Sequence, residues 1–547
     1  MSTTPRPSLS LSLVLAGAVL ACTAVIAEDP VQCTNDADCS ARGPDFADTV
    51  CGPEGLCAPR PSPAPECTKS SECAARGANQ VCSAIQRRCV QVTSDECSVA
   101  YGDPLADGAV LFGLLGEISP EDTLYYREQQ HLGGAKLAFA EFFDRAAARF
   151  PGGRGAALIA CSERSPRKAS AHLANIGVRA VIGPSHERRQ KAVVETLLGA
   201  RVPSFSPWIG GNPAAVVPEA AGFAWLTSFS RTDLVAPLNA LVAEHEARVR
   251  QGSGSSARHL RVAVIVNEQA TSGSNPFAEY GTLMDQRLTF NGKSAVENER
   301  DSACGNCYRR FATGPGPSAT VDQRANEIVA FNPHVVIPFV DLDWGLQLLP
   351  KLEERYALAT VSINRPLYVH PFLQFEDDGY KSLPVSSASL RRRITGVRPL
   401  RNNTFEIFQN RFRETFRPPS SPTELGPSPS FAAGRAFETA ILLLLATHAA
   451  LVNDPDARPE DVVAALALVT DSTSSTKVTA SDLARAVERL NARERIDLDG
   501  LLSSFDLDPS AFSATGRWTT WCVDAAGQYV SRRPFVNNTF GAPATCD

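Results

Sequence analysis

The sequence lacks a basic surplus. Its 547 residues carry a formal net charge of −6, with a pI near 5.9. Nucleic acid is therefore excluded as the main partner, because phosphate binding needs a basic face. It also has no HExxH, no GxSxG elbow and no Walker loop, so zinc-protease, α/β-hydrolase and P-loop chemistry have no anchor. Two SxxK matches occur, Ser165 to Lys168 and Ser474 to Lys477. Neither has the companion motifs of penicillin-recognising enzymes, and two matches in one chain show how cheap the pattern is. Beyond the N-terminus there is no apolar run long enough to span a bilayer. The longest, Ala440–Leu451, is interrupted by His448 and follows Arg435 and Glu438, which suits a buried core helix.

The N-terminus reads as an export signal. Arg6 precedes the apolar stretch Leu11–Leu20, which is too short to serve as a mature span. Val19-Leu20-Ala21-Cys22 resembles a lipoprotein box. It makes 1–21 a signal peptide and Cys22 the lipidated residue. Cleavage after Ala27 is the alternative and would release a soluble, secreted chain. Setting Cys22 aside leaves 14 of the 15 cysteines, an even number that suits an oxidising compartment.

Residues 28–96 are rich in Cys, Pro, Asp and Ser and contain a repeat, CTNDADCSARG against CTKSSECAARG. Cys33, Cys39, Cys51 and Cys57 form one set; Cys67, Cys73, Cys82 and Cys89 form the other. Each unit is too small to bury a core, so two disulfides per unit are expected, with three pairings open. Zinc is excluded by the lack of paired CxxC knuckles and His partners, and no metal or cofactor site is predicted. Cys304 and Cys307 form a lone CxxC, expected as a structural disulfide in a surface insertion. Cys97, Cys161, Cys522 and Cys546 leave material for two more bridges.

From about residue 106 strands alternate with helices. Expected strands are Ala109–Leu115, Ala156–Ala160, Ala180–Ile182, Val202–Phe205, Leu260–Val266, Val335–Phe339 and Leu367–Val369, and an amphipathic helix covers Gly133–Arg149. Ser185 is placed to cap the helix carrying Val193, Val194, Leu197 and Leu198. Such alternation implies parallel sheets covered on both faces, and the strand count suits two α/β lobes. Loops at the carboxyl ends of those strands are where open α/β sheets bind ligands.

The order of segments resembles the type I periplasmic binding proteins, the superfamily of branched-chain amino-acid binding proteins of ABC transporters and of receptor ligand-binding regions. The carriers are GAVLFGLLGEIS, HLGGAKLAFAEF, VRAVIGP, VPSFSP, AWLTSFSRTD, LRVAVIVNEQATSG and FAAGRAFETAILLLL. The resemblance covers about residues 106–530 and implies two doubly wound, Rossmann-like lobes joined by a hinge: 106–235 plus 396–500, and 236–395 plus 501–530. It implies a non-enzymatic solute-binding role in the cell envelope or periplasm, with a small-molecule ligand, a possible ABC permease partner, and membrane contact through the lipid anchor alone. The implied ligand contacts are Glu117, Ser119, Ser185, His186, Glu187, Ser206 and Trp208 on the first lobe, with Asn267 and Asp341 on the second. Glu187 and Trp208 depart from the amino-acid-binding pattern: Glu187 would repel a carboxylate and Trp208 offers a stacking face. An apolar, aromatic or cationic guest therefore fits them better than an unmodified branched-chain amino acid, with an amino-acid-like ligand kept as a further option. Two other classes compete: a cell-surface protein-interaction lipoprotein on a non-binding scaffold, and a serine hydrolase acting through Ser165.

Overall fold

The computed structural model describes residues 33–43, 49–51, 56–59, 65–83, 86–116, 118, 125–207, 210–211, 213–253, 259–268, 276–313, 318–340, 342–359, 364–371, 387–417, 426–508 and 512–541. Cys22 and Cys546 lie outside them. The chain divides into two compact units, residues 1–65 and 66–547.

The first unit holds the first cysteine repeat. A one-turn helix, Asp36–Ser40, is capped by Asn35 and followed by the hairpin Thr49–Cys51 and Cys57–Pro59. Cys51 and Cys57 face each other across the hairpin, yet each bonds back, Cys33–Cys51 and Cys39–Cys57. The second repeat uses the same plan, with Cys67–Cys82 and Cys73–Cys89. That one pairing of three is adopted twice follows from a shared helix-then-hairpin geometry.

The expected single cysteine module over 28–96 is corrected here. The second repeat is part of the larger unit. Its Val81 and Val92 are buried in one cluster with Leu111, Leu115, Ile159 and Leu173, and its Gln86 side chain bonds Asn175 at 2.9 Å. Apolar burial fastens it to the α/β body, as expected for a module too small to hold a core of its own.

Within the larger unit, the first lobe is built on strands β1 Cys97–Tyr101, β2 Val110–Gly116, β3 Ala156–Ser162, β4 Val181–Ile182, β5 Ser204–Ser206 and β6 Ala224–Leu226. The second lobe uses β7 Val262–Asn267, β8 Tyr308–Thr313, β9 Val335–Phe339, β10 Leu367–His370 and β11 Ile394–Pro399. The chain then returns with β12 Ser503–Asp508 and β13 Ser513–Gly516, and ends with β14 Trp518–Val523, β15 Tyr529–Val536 and β16 Thr539–Phe540.

The first sheet runs β12-β13-β6-β5-β4-β2-β3-β1 and the second β8-β7-β9-β10-β11-β14-β15-β16. Each has a parallel centre with antiparallel strands outside it. The expected boundary at residue 501 is therefore displaced. Strands β12 and β13 stay with the first sheet, β11 pairs in the second, and the change of lobe falls at Arg517.

Strand β1 is stapled to β3 by Cys97–Cys161, which are register partners. Cys304–Cys307 is bonded as expected, and Cys522 is also in a disulfide.

Helices cover the sheets. Among them are α1 Tyr125–Ala140, α2 Glu187–Gly199, α3 Val235–Ser253, α4 Pro276–Arg287, α5 Leu342–Leu358, α6 Thr404–Thr415 and α7 Phe431–Asn453. Helix α7 contains the apolar run read as a core helix, and 89% of its most apolar window is buried. It lies directly on α1: a Cβ at Gly134 would stand 2.0 Å from the Ala433 carbonyl oxygen, so only glycine allows this approach. Deep in α7, Arg435 and Glu438 are both sealed from solvent and paired at 2.6 Å. Glu438 also accepts the Leu502 N–H at 2.9 Å, pinning the returning chain. A buried charge pair needs such additional hydrogen bonds to offset its desolvation.

Three crossings join the lobes: 227–234, 400–403 and Arg517. They are knitted together. The Leu400 N–H donates to the Arg517 carbonyl at 2.8 Å, and Phe229 packs against Trp518 with ring centroids 4.4 Å apart.

Three histidines are withdrawn from water in the lobes, His370 and His448 fully and His245 in part. Burial lowers His245 to about 4 and holds His370 well below the usual imidazole value. Burial also lowers His448, against the opposing effect of its Asn491 bond. In each case the unfolded chain binds a proton that the folded chain refuses, so stability is complete above about pH 6.5 and falls as pH drops towards the folded values. The melting temperature should therefore decline from about pH 7 to about 5, and His245→Gln should flatten that slope. A profile level across this window would contradict the assignment.

Candidate functional site

The carboxyl ends of the two sheets meet around a single guanidinium. Arg231 follows β6 in the first crossing and is 6% exposed. It forms ion pairs with Glu187, the first residue of α2 on the first lobe, and with Glu279, on α4 of the second lobe. Its guanidinium carbon lies 5.5 Å from the Tyr280 ring centroid, and Tyr280 stacks on Phe339 of β9 at 5.1 Å. Burial lowers the Arg231 pKa and raises that of Tyr280. A chain of charge, carboxylate to guanidinium to carboxylate, thus spans the gap between lobes.

The first-lobe loops are braced by buried polar groups. Glu163, just past β3 and fully buried, accepts the Ser185 N–H at 2.6 Å and pairs with Arg189 at 3.5 Å. The Ser206 hydroxyl donates to the Pro184 carbonyl at 2.8 Å, and Thr227 Oγ1 donates to the Ser206 carbonyl at 3.0 Å. Gly183 has φ +132°, and a Cβ there would lie 2.9 Å from Leu115 Cβ, so this loop closes against β2 only with glycine.

The expected contacts divide as follows. Glu117, Ser119, Trp208 and Asp341 lie outside the described residues. Ser185, His186 and Glu187 are together on the loop after β4, near Arg231 through Glu187. Ser185 does not cap α2; His186 takes that position, without a side-chain cap bond. The Ser185 hydroxyl is buried and has no hydrogen-bond partner among the described residues, as is true of Ser228 and of Thr313 at the end of β8. Ser206 is a brace, its hydroxyl given to Pro184. Glu187 is not the free anion expected to select a cation, because Arg231 compensates its charge and the Gly211 N–H bonds its Oε1 at 3.1 Å. Asn267 ends β7 beside Thr313.

Sequence reasoning missed Arg231, Glu163 and Glu279. An Arg just after an apolar strand was visible, but its two partners lie 44 and 48 residues away in opposite directions. His370, also passed over, ends β10 and lines a small cavity with Pro338, Val340, Leu349 and Tyr368 beneath α5. Its ring lies 6.1 Å from Trp521.

No family model matches the chain, and no curated protein matches it. Solved structures do. A protein of Rhodospirillum rubrum assigned to branched-chain amino acid ABC transport aligns over 78% of this chain and 100% of its own, with TM-score 0.51 and 14% identity. A branched-chain amino acid ABC transporter periplasmic ligand-binding protein from Burkholderia xenovorans aligns over 78% and 95%, with TM-score 0.50 and 11% identity. The chain has the type I periplasmic-binding-protein fold. At these identities the likeness establishes architecture, and function must be argued from the site.

Arg231 is the group on which the site's charge balance rests. Removing it leaves Glu187, with its side chain 16% exposed, without its counter-charge, whereas Glu279, with its side chain 47% exposed, turns to solvent. Arg231→Met should destabilise the protein by roughly 3 kcal/mol, as for breaking a buried pair. Glu279→Gln should cost well under 1 kcal/mol. Chemical denaturation of the two variants checks this; equal losses would contradict the asymmetry.

Proposed function

We propose that this chain is an exported solute-binding protein that captures a small ligand between its two lobes, for ABC-type uptake or for sensing. The observation that carries the reading is the meeting of both sheets' carboxyl edges around Arg231, together with buried hydroxyls of Ser185 and Ser228 that have no partner among the described residues. Ligand sites of open α/β sheets lie at those edges, and a hinge of short crossings permits closure.

Capture needs no covalent chemistry. The Ser hydroxyls and loop N–H groups offer hydrogen bonds, and closure removes the guest from water. Of the SxxK serines, Ser474 already donates its hydroxyl to the Arg495 carbonyl at 2.8 Å, and Lys168 beside Ser165 is exposed; this favours binding over acyl transfer.

We further propose lipidation at Cys22, which would tether the protein to the envelope membrane, with release after Ala27 as the soluble alternative. Glu117, Ser119, Trp208 and Asp341 remain proposed ligand contacts, and a permease is the proposed partner.

Native mass spectrometry of protein purified without denaturation should show a non-covalent small-molecule adduct, lost on unfolding. Returning that molecule to stripped protein should raise its melting temperature. Bare protein that no small metabolite stabilises would overturn the reading in favour of the protein-interaction alternative.

A further inference from the structure

We propose that Arg231 is the seat of a ligand carboxylate, and that Glu279 holds that seat when the lobes stand together without a ligand. The inference rests on the solute-binding reading and narrows it to small organic acids.

The two carboxylates on Arg231 are not equivalent. Glu187 belongs to the same lobe as the strand leading to Arg231, is 16% exposed at its side chain, and is tied a second time by the Gly211 N–H. It is a permanent partner. Glu279 comes from the opposite lobe, is 47% exposed at its side chain, and has Arg231 as its one ion-pair or hydrogen-bond partner among the described residues. It can leave at little cost. When the lobes part, Glu279 departs with α4, and the first lobe is left with a buried guanidinium satisfied on one side only. Arginine presents five N–H donors in a planar fork that suits two carboxylates at once. An incoming carboxylate restores the arrangement that Glu279 made.

The surroundings fit an acid. With Glu187 alone, Arg231 forms a neutral pair, so an added anion meets a desolvated donor and no net repulsive charge. A cation would meet the guanidinium instead. Tyr280, stacked on Phe339, supplies an aromatic wall beside the seat. The buried Ser185 and Ser228 hydroxyls, two residues before Glu187 and three before Arg231, supply further donors on the same loops.

The test uses the full chain and simple probes. Acetate and benzoate are titrated into wild type, Glu279→Gln and the double variant Arg231→Gln/Glu279→Gln, against sodium chloride at matched ionic strength and against uncharged benzamide. Melting temperature and calorimetric affinity are the readouts. Benzoate should stabilise Glu279→Gln and bind it about tenfold more tightly than wild type, because the competing carboxylate is gone. Benzamide should do neither, and the double variant should lose the response. Should Glu279→Gln not fold, wild type is read alone and must be stabilised by benzoate over chloride and over benzamide. Carboxylates acting no better than chloride, or acting equally on the double variant, overturn the proposal. A neutral or cationic molecule found in the native adduct would also overturn it while leaving the solute-binding reading intact; a bare, unresponsive protein would remove both.

Discussion

The three chain crossings between the lobes are knitted to one another. The Leu400–Arg517 hydrogen bond ties the second crossing to the third, and the Phe229–Trp518 contact ties the first to the third. Three short strands of chain moving as one constrain the lobes to a hinge. Arg231 stands within the first of these crossings, so the charge that spans the gap is carried by the hinge itself. A change of lobe angle therefore acts directly on the Glu187–Arg231–Glu279 chain.

The first lobe is rigid where the hinge enters it. Arg435 lies 5.0 Å from the Phe229 ring centroid and 4.7 Å from that of Phe431, while its partner Glu438 holds the Leu502 N–H. One buried ion pair thus braces both the chain leaving the lobe at Phe229 and the segment entering β12 at Leu502. Glu163 and the Ser206–Pro184 bond do the same for the loops after β4 and β5. Rigid loops on a hinged pair of lobes suit recognition without remodelling, since the ordering cost is met on folding.

Much of the fold was legible because it is written in local patterns. Apolar runs such as Val335–Phe339 ended where the strands end, and the helix around Ala440–Leu451 was recognisable as core from His448 and its charged neighbours. The repeat showed two four-cysteine units. Pairing within them was not legible, because Cys51 and Cys57 face each other yet bond elsewhere. Nor was the separation of the two repeats, which depends on Val81 and Val92 finding Leu173 in a distant helix. The loop Ser185–Glu187 was identified from the strand before it, but the meaning of Glu187 was not. A carboxylate's role is set by its partner, and Arg231 is brought to it by the turn of the chain between β6 and the second lobe.

The central claim is that two bodies close on a hinge over a guest. Its most direct measurement is the interlobe distance distribution in solution, read by double electron–electron resonance between labels at the exposed positions Lys191 and Leu358. Stripped protein should show a broad or longer distance that contracts on adding back the molecule released from the native adduct. One unchanging distance with and without it would contradict the account.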